Sequence, residues 1–160
     1  MNEYKLREAT SEWLNKQNFD LLITLNTEVE LTEEQMSKLM CRLFYKIECD
    51  VFGKNTNGVW RRELYKHKDK FHITRAVVIE GDEKRTHAHI QVKTLEGFTN
   101  EQMIELLKLE YMKLLNTKRE KGFLFHATQI ANRDAVSRYT LKKNKIDLRS
   151  SFISKHSNKQ

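Results

Sequence analysis

The sequence predicts an α+β fold of the ferredoxin-like, split βαβ kind, with both crossover helices on one face of an antiparallel sheet and the other face left open for an active site. Three observations predict it. Stretches with a period of two and stretches with helical spacing succeed one another in the order β-α-β-β-α-β, followed by a further helix. The two long helical stretches begin with the same grammar, Thr32 with Gln35 and Thr99 with Gln102. Finally, "THAHIQVK" (86–93) alternates so that Ala88, Ile90 and Val92 share one face while His87, His89, Gln91 and Lys93 share the other.

Taken in order, residues 1–18 have helical character. "FDLLITLNT" (19–27) reads as a strand with Phe19, Leu21, Ile23 and Leu25 on one side and Asp20, Thr24 and Asn26 on the other. Residues 31–52 form a helix opened by the Thr32–Gln35 capping box, with Leu31 and Met36 as a staple pair. "FHITRAVVIE" (71–80) and "THAHIQVK" form a hairpin across the turn 81–84. A second capped helix covers 98–116, where Phe98 would staple Met103. "GFLFHATQI" (122–130) is a further strand and 131–144 a final helix. Residues 1–144 read as one domain, and 145–160 as a basic, flexible tail.

Composition narrows the class. The 39% hydrophobic content suits a globular chain of 160 residues with a real core. No apolar run approaches the ~18 residues of a membrane span, and "MNEYKLREATSEW" is too charged for a signal peptide. Cys41 and Cys49 fall eight residues apart on one helix. They stand more than about 10 Å apart, too far to bridge. A reducing, cytoplasmic setting is expected, or the host-cell nucleic-acid compartment if the protein is viral.

A net charge of +7 favours a polyanionic partner. Six Lys/Arg lie between Lys54 and Lys70 against two acids, with Trp60 and Tyr65 interleaved, and six more follow from Lys142 against Asp147 alone. Basic residues mixed with aromatics suit single strands, where bases stack and phosphates pair. Arg61 and Arg62 are the first candidates for phosphate contacts.

Histidines at i and i+2 of a strand project in parallel with Cβ atoms roughly 6–7 Å apart, so one cation can be gripped by both. If the hairpin turn is 81–84, Glu80 pairs with Arg85 and His87 with Val78, and Glu80 becomes a diagonal neighbour of His87 on the same face. Glu83 and Asp82 in the turn are reserve ligands. Two imidazoles and a carboxylate suit a divalent cation but do not by themselves name the chemistry, and an H-x-H pair also occurs as two ordinary polar side chains.

Taken together, "FDLLITLN", "THAHI" and "SRYTLKK" resemble the three ordered motifs of HUH-type single-strand endonucleases, most closely the replication initiator (Rep) proteins of small rolling-circle replicons. The resemblance spans residue 19 to about 144. It maps Thr24 and Asn26 onto the first motif, as DNA contacts, and His87-Ala88-His89 onto the second. It maps Tyr139 with Lys142 onto the third, and Glu80 onto the acidic third ligand. Two departures stand out: Ala88 is a small residue for its place, and no helicase domain follows, so a host helicase is an expected partner.

The resemblance implies a Mg²⁺- or Mn²⁺-dependent nicking and joining enzyme, a nucleotidyltransferase acting on single-stranded DNA at a replication origin or hairpin. Tyr139 would attack the phosphorus to give a 5′-phosphotyrosine and a free 3′-OH, with Lys142 steadying the phenolate or phosphate and Lys143 as a second cation towards the DNA. The position of the tyrosine suits Rep proteins or small transposases better than conjugative relaxases. Read from residues alone, Ala135, Val136 and Tyr139 could instead form an apolar stripe packing a helix. His126 reads as structural or as a DNA contact, and His67, His72 and His156 carry no signal. The rival class is a non-catalytic ferredoxin-like nucleic-acid platform, against which the missing pair of exposed central-strand aromatics argues.

Overall fold

The computed structural model describes residues 2–53, 72–81, 85–117, 121–141 and 146–153 of the 160-residue chain. Among these residues eight elements follow one another: α1 (Glu3–Lys16), β1 (Leu21–Leu25), α2 (Glu33–Phe52), β2 (Arg75–Gly81), β3 (Thr86–Val92), α3 (Asn100–Leu114), β4 (Phe125–Gln129) and α4 (Arg133–Thr140). The strands form one antiparallel sheet in the order β2-β3-β1-β4. With α2 and α3 as the crossovers, this is the split βαβ arrangement that the sequence predicts, preceded by α1 and followed by α4.

Local sequence explains why the crossovers begin where they do. Thr32 and Thr99 each accept from the N3 backbone N–H, while Gln35 and Gln102 reach back to the cap N–H, so both capping boxes close reciprocally. Each cap satisfies donors that helix geometry would otherwise leave orphaned, a gain of about 1 kcal/mol apiece. Among the described residues no helix is long and apolar enough to cross a membrane. Cys41 and Cys49 both lie on α2 as free thiols.

Period-two alternation builds the main core. Leu21, Ile23 and Leu25 of β1, Val77 and Ile79 of β2, and Ala88, Ile90 and Val92 of β3 all face one side. There they meet Met36, Met40, Leu43, Phe44 and Ile47 of α2 and Met103, Leu107 and Tyr111 of α3. Phe98, expected to staple Met103, stays exposed, and Phe19 leaves this core altogether.

Phe19 belongs to a second cluster, on the face expected to be open. Leu14 of α1, Phe19, Ala76 and Val78 of β2, and Leu141 after α4 pack together there, with Ile130, Ile146 and Ile153 against them. So α1, α4 and the C-terminal segment cover part of that face. The reason lies in β2: its continuous apolar run, Ala76 to Ile79, puts apolar side chains on both faces, and a strand of that kind must be covered twice.

The tail expected from residue 145 is likewise docked over 146–153. Ile146 pairs with Val78 and Phe152 with Arg75 as antiparallel bridges along the outer edge of β2. The Asp147 N–H donates to the Val77 carbonyl at 2.7 Å, and the Asp147 carboxylate accepts from Ser37 Oγ at 2.8 Å and also from Ser150. An edge strand offers unpaired backbone groups, and this segment satisfies them. Residues 154–160 lie outside the described residues.

A buried ion pair ties this edge to α2. Arg75 donates to Glu48 Oε1 at 2.8 Å and to the carbonyls of Ile73 and Ser150, and its guanidinium lies 4.3 Å from the centre of the Phe44 ring. His72 pairs with the other oxygen of Glu48. Burial pulls the Arg75 pKa down and Glu48 pulls it back. Removing one partner strands a buried charge, so Arg75→Ala should lower unfolding stability by about 3–5 kcal/mol in urea titration. The exposed Lys46→Ala on the same helix should shift it by less than about 0.5 kcal/mol. Equal effects from the two would refute this account of the edge.

Candidate metal centre and its neighbouring tyrosine

The hairpin register sets the geometry of the site. Glu80 lies directly opposite His87, Val78 opposite His89 and Gly81 opposite Thr86, so the connecting loop is 82–85 rather than 81–84. Each expected pairing is therefore displaced by two residues. An even displacement preserves the face, so Glu80 shares the side of both histidines as a direct neighbour of His87 instead of a diagonal one.

Three donor atoms converge there. His87 Nε2 lies 3.1 Å from Glu80 Oε2 and 3.2 Å from His89 Nε2, and His89 Nε2 lies 3.3 Å from the same carboxylate oxygen. The opposite ring nitrogens are already engaged. His87 Nδ1 is 3.2 Å from the Arg85 carbonyl oxygen, which can only accept, so Nδ1 carries the proton. His89 Nδ1 is 3.1 Å from Thr24 Oγ1 on the adjacent strand, where the residues are register partners.

With Nδ1 protonated, His87 Nε2 turns a lone pair towards the Glu80 carboxylate and His89 Nε2, the arrangement a cation among the three would use. Cis ligands around a cation bound at about 2.1 Å are about 3.0 Å apart in an octahedral shell and about 3.4 Å apart in a tetrahedral one, which brackets the observed separations. Glu80, His87 and His89 therefore fit a metal ion, and they form a cluster of suitable ligand atoms within 4.8 Å. Thr24 and the Arg85 carbonyl act as the supporting layer that orients the two rings, and the carbonyl also sets the His87 tautomer. Burial, with the His87 ring beside it, pulls the His89 pKa below its ordinary value against the opposing pull of Glu80, favouring the neutral, ligating form. Asp82 and Glu83 lie outside the described residues.

Tyr139 stands beside this cluster. Its ring centre is 5.5 Å from that of His89, the planes meet at 69°, and the residue is 61% exposed. It is not part of a packing stripe. Ala135 is exposed as well, and α4 buries Ser137 and Thr140 instead. Ser137 Oγ donates to Asn15 Oδ1 of α1 at 2.7 Å and lies 3.5 Å from Gln91 Nε2 of β3, while Asn15 Nδ2 donates to Asp134. A small, polar anchor lets α4 approach the sheet closely and turns Tyr139 outward. Tyr111 is no rival to it, being buried in the main core with its hydroxyl donating to the Asn26 carbonyl and its pKa pushed up by burial.

The remaining expected site residues divide into two groups. Thr24 and Asn26 flank the site, but both side chains have partners within the protein: Thr24 on His89, and Asn26 Nδ2 on the Phe123 carbonyl at 2.9 Å. His126, across β1 from the site as the partner of Thr24, is exposed rather than structural. Arg61, Arg62, Lys142, Lys143 and Tyr65 lie outside the described residues. Sequence reasoning missed Asn15, Gln91 and Ser137 as the anchor of α4, and Arg85 as the support of His87. The Arg85 contact is made by its backbone carbonyl, which any residue supplies and which leaves no mark in the sequence. Comparison with family models, with curated proteins and with solved structures found no significant match for this chain.

Calorimetric titration with Mn²⁺ checks the site. His87→Ala should abolish binding with the fold intact, whereas His89→Ala should abolish it and also cost stability, because His89 is only 4% exposed. Thr24→Val keeps every ligand but removes the hydroxyl behind His89, and should weaken Mn²⁺ binding about 10- to 100-fold. Undiminished affinity in Thr24→Val would separate that hydroxyl from the centre.

Proposed function

We propose that this protein is a metal-dependent single-stranded DNA endonuclease and strand-joining enzyme that works through a phosphotyrosine, the chemistry of a rolling-circle replication initiator. One observation carries the reading: an exposed tyrosine lies 5.5 Å, ring to ring, from a histidine of a converging two-imidazole, one-carboxylate cluster. A hydrolase using metal-bound water would need the cluster alone and would give Tyr139 no task.

Glu80, His87 and His89 would hold Mg²⁺ or Mn²⁺, which when bound supplies Lewis-acid polarisation of a phosphate and offsets charge in the transition state. The chain's own residues do the rest. Tyr139 Oη attacks the scissile phosphorus, the P–O3′ bond breaks, and the 3′ oxygen leaves as a hydroxyl, giving a 5′-phosphotyrosine. A free phenol has a pKa near ~10. Its proton must leave during attack, and the exposed ring can pass it to solvent. The ester bond keeps the energy of the cleaved linkage, so a 3′-OH can later attack the phosphotyrosine and rejoin the strand. Lys142 would steady the developing charge. Arg61, Arg62 and Lys143 would meet phosphates, in keeping with the net charge of +7.

The binding-platform alternative is weakened by the packing of α1, α4 and 146–153 over Ala76, Val78 and Gln91, which removes much of the flat sheet face such modules use. A position C-terminal to the histidine pair for the single tyrosine supports an initiator, with a small transposase as the nearest relative in chemistry.

Tyr139→Phe removes one oxygen from an exposed side chain and should leave stability within about 0.5 kcal/mol of wild type. With labelled single-stranded DNA and Mn²⁺ it should lose both nicking and the covalent adduct seen on denaturing gels, and EDTA should abolish both in the wild type. Peptide mass spectrometry should find the nucleotide on Tyr139. Nicking by Tyr139→Phe at the wild-type rate would mean that water attacks, and the proposal would fail at its central step.

A further inference from the structure

At the strand ends joined to the cluster through Arg85 stands a second feature, whose side chains are neither ligands nor nucleophile. Phe123 is 48% exposed, although its neighbour Leu124 is fully buried. The ring is held in place. Its backbone carbonyl accepts from Asn26 Nδ2 at 2.9 Å, and the Asn26 N–H donates to the Leu124 carbonyl at 2.9 Å, so the turn before β4 is fastened to the end of β1. Arg85 reaches across the same strand end. Its Nη1 donates to the Thr27 carbonyl at 3.3 Å, and its guanidinium carbon lies 5.7 Å from the centre of the Phe123 ring. Through its carbonyl, Arg85 also holds His87 Nδ1 at 3.2 Å. The ends of three strands thus carry an aromatic ring and a planar cation, one hydrogen bond away from a metal ligand.

We propose that Arg85 and Phe123 form a stacking shelf that takes one nucleobase of a single-stranded nucleic acid, next to the phosphate at the metal cluster. This rests on the proposed substrate class and extends it from the phosphate to the base. An aromatic ring offers nothing to a phosphate but matches the π-face of any base, and a guanidinium plane both stacks on a base and attracts its backbone. Charge complementarity points to nucleic acid rather than an apolar protein segment. Arg85 is exposed, the nearby Lys121 and Glu28 cancel in a 2.9 Å ion pair, and the whole chain carries +7. Stacking of this kind tolerates every base, so the shelf would position the strand without reading its sequence.

The test compares two probes that share a backbone: an oligothymidylate and an abasic oligomer of the same length. Both are titrated by fluorescence anisotropy against the full chain in EDTA, so that cleavage plays no part. Wild type should prefer the thymidylate, and Phe123→Ala should shrink that preference about 5- to 100-fold. Phe123→Trp should keep it, and Arg85→Lys, which retains the charge but loses the plane, should reduce it. Circular dichroism and Mn²⁺ affinity matching wild type would show that neither the fold nor the metal site is the cause. A wild-type protein indifferent to the bases, or a preference unchanged in both Phe123→Ala and Arg85→Lys, overturns the shelf. The two proposals fail separately: a wild-type base preference that Phe123→Ala and Arg85→Lys lose, in a protein that forms no Tyr139 adduct, keeps the shelf and sinks the nuclease. A nicking enzyme with unchanged preference does the reverse.

Discussion

The pairing of β3 with its two neighbours fixes the faces of the sheet and the site together. Ala88, Ile90 and Val92 can be covered by α2 and α3 only if His87 and His89 turn the other way. Burying the Ile90 and Val92 side chains contributes about 1.5–3 kcal/mol each, and a slip of one residue would turn all three to the other face. The position of the imidazoles is therefore enforced by the core behind them rather than by any local preference of histidine. The same pairing selects the neighbours: Glu80 across from His87 on one side, Thr24 across from His89 on the other. Ligand and supporting hydroxyl come from different strands, which makes the cluster as rigid as the sheet.

Tyr139 is placed by a different logic. An eight-residue helix is marginal on its own, so α4 depends on tertiary contacts. Those contacts are largely polar: Asn132 caps the helix, and Ser137 joins Asn15 and Gln91. Had α4 docked through a stripe of Ala135, Val136 and Tyr139, the phenol would have been drawn into the interior. Anchoring through a serine instead keeps the ring at the boundary between the covered half of the face, under α1 and α4, and the uncovered end where the metal ligands open. An exposed tyrosine beside a nearly buried histidine is the outcome.

Most of the sheet and both crossovers were legible in the sequence, because alternation and capping are local signals that the core then uses. The convergence of Glu80 with the two histidines was legible too, although its register was not. Alternation specifies which face a residue takes but is blind to even displacements, and a four-residue loop could be drawn as 81–84 or 82–85 with the same pattern. The covering of the second face escaped because it is non-local. Leu14, Phe19 and Leu141 meet Ala76 and Val78 only after the chain has folded, and Ile146, Phe152 and Ile153 are scattered through a segment whose charges suggested a tail. The docking of α4 escaped for the same reason, since a Ser–Asn–Gln contact across three elements leaves no periodic trace.

Charge balance at the cluster bears on what it can take. Two neutral imidazoles and one carboxylate give a donor set of −1, so a divalent cation held there leaves +1 facing outward. A second carboxylate would bring the site to neutrality, and a third imidazole would leave the full +2 and favour a tightly held anion. A residual single positive charge attracts a singly charged anion while holding it less tightly than +2 would. Placing that charge at the uncovered end of a sheet whose other half is sealed by Leu14, Phe19 and Leu141 also limits water on one side and leaves the strand ends free on the other. Among the described residues, the open end of the site thus follows from where α1, α4 and residues 146–153 pack, elements that supply none of the clustered carboxylate and imidazoles.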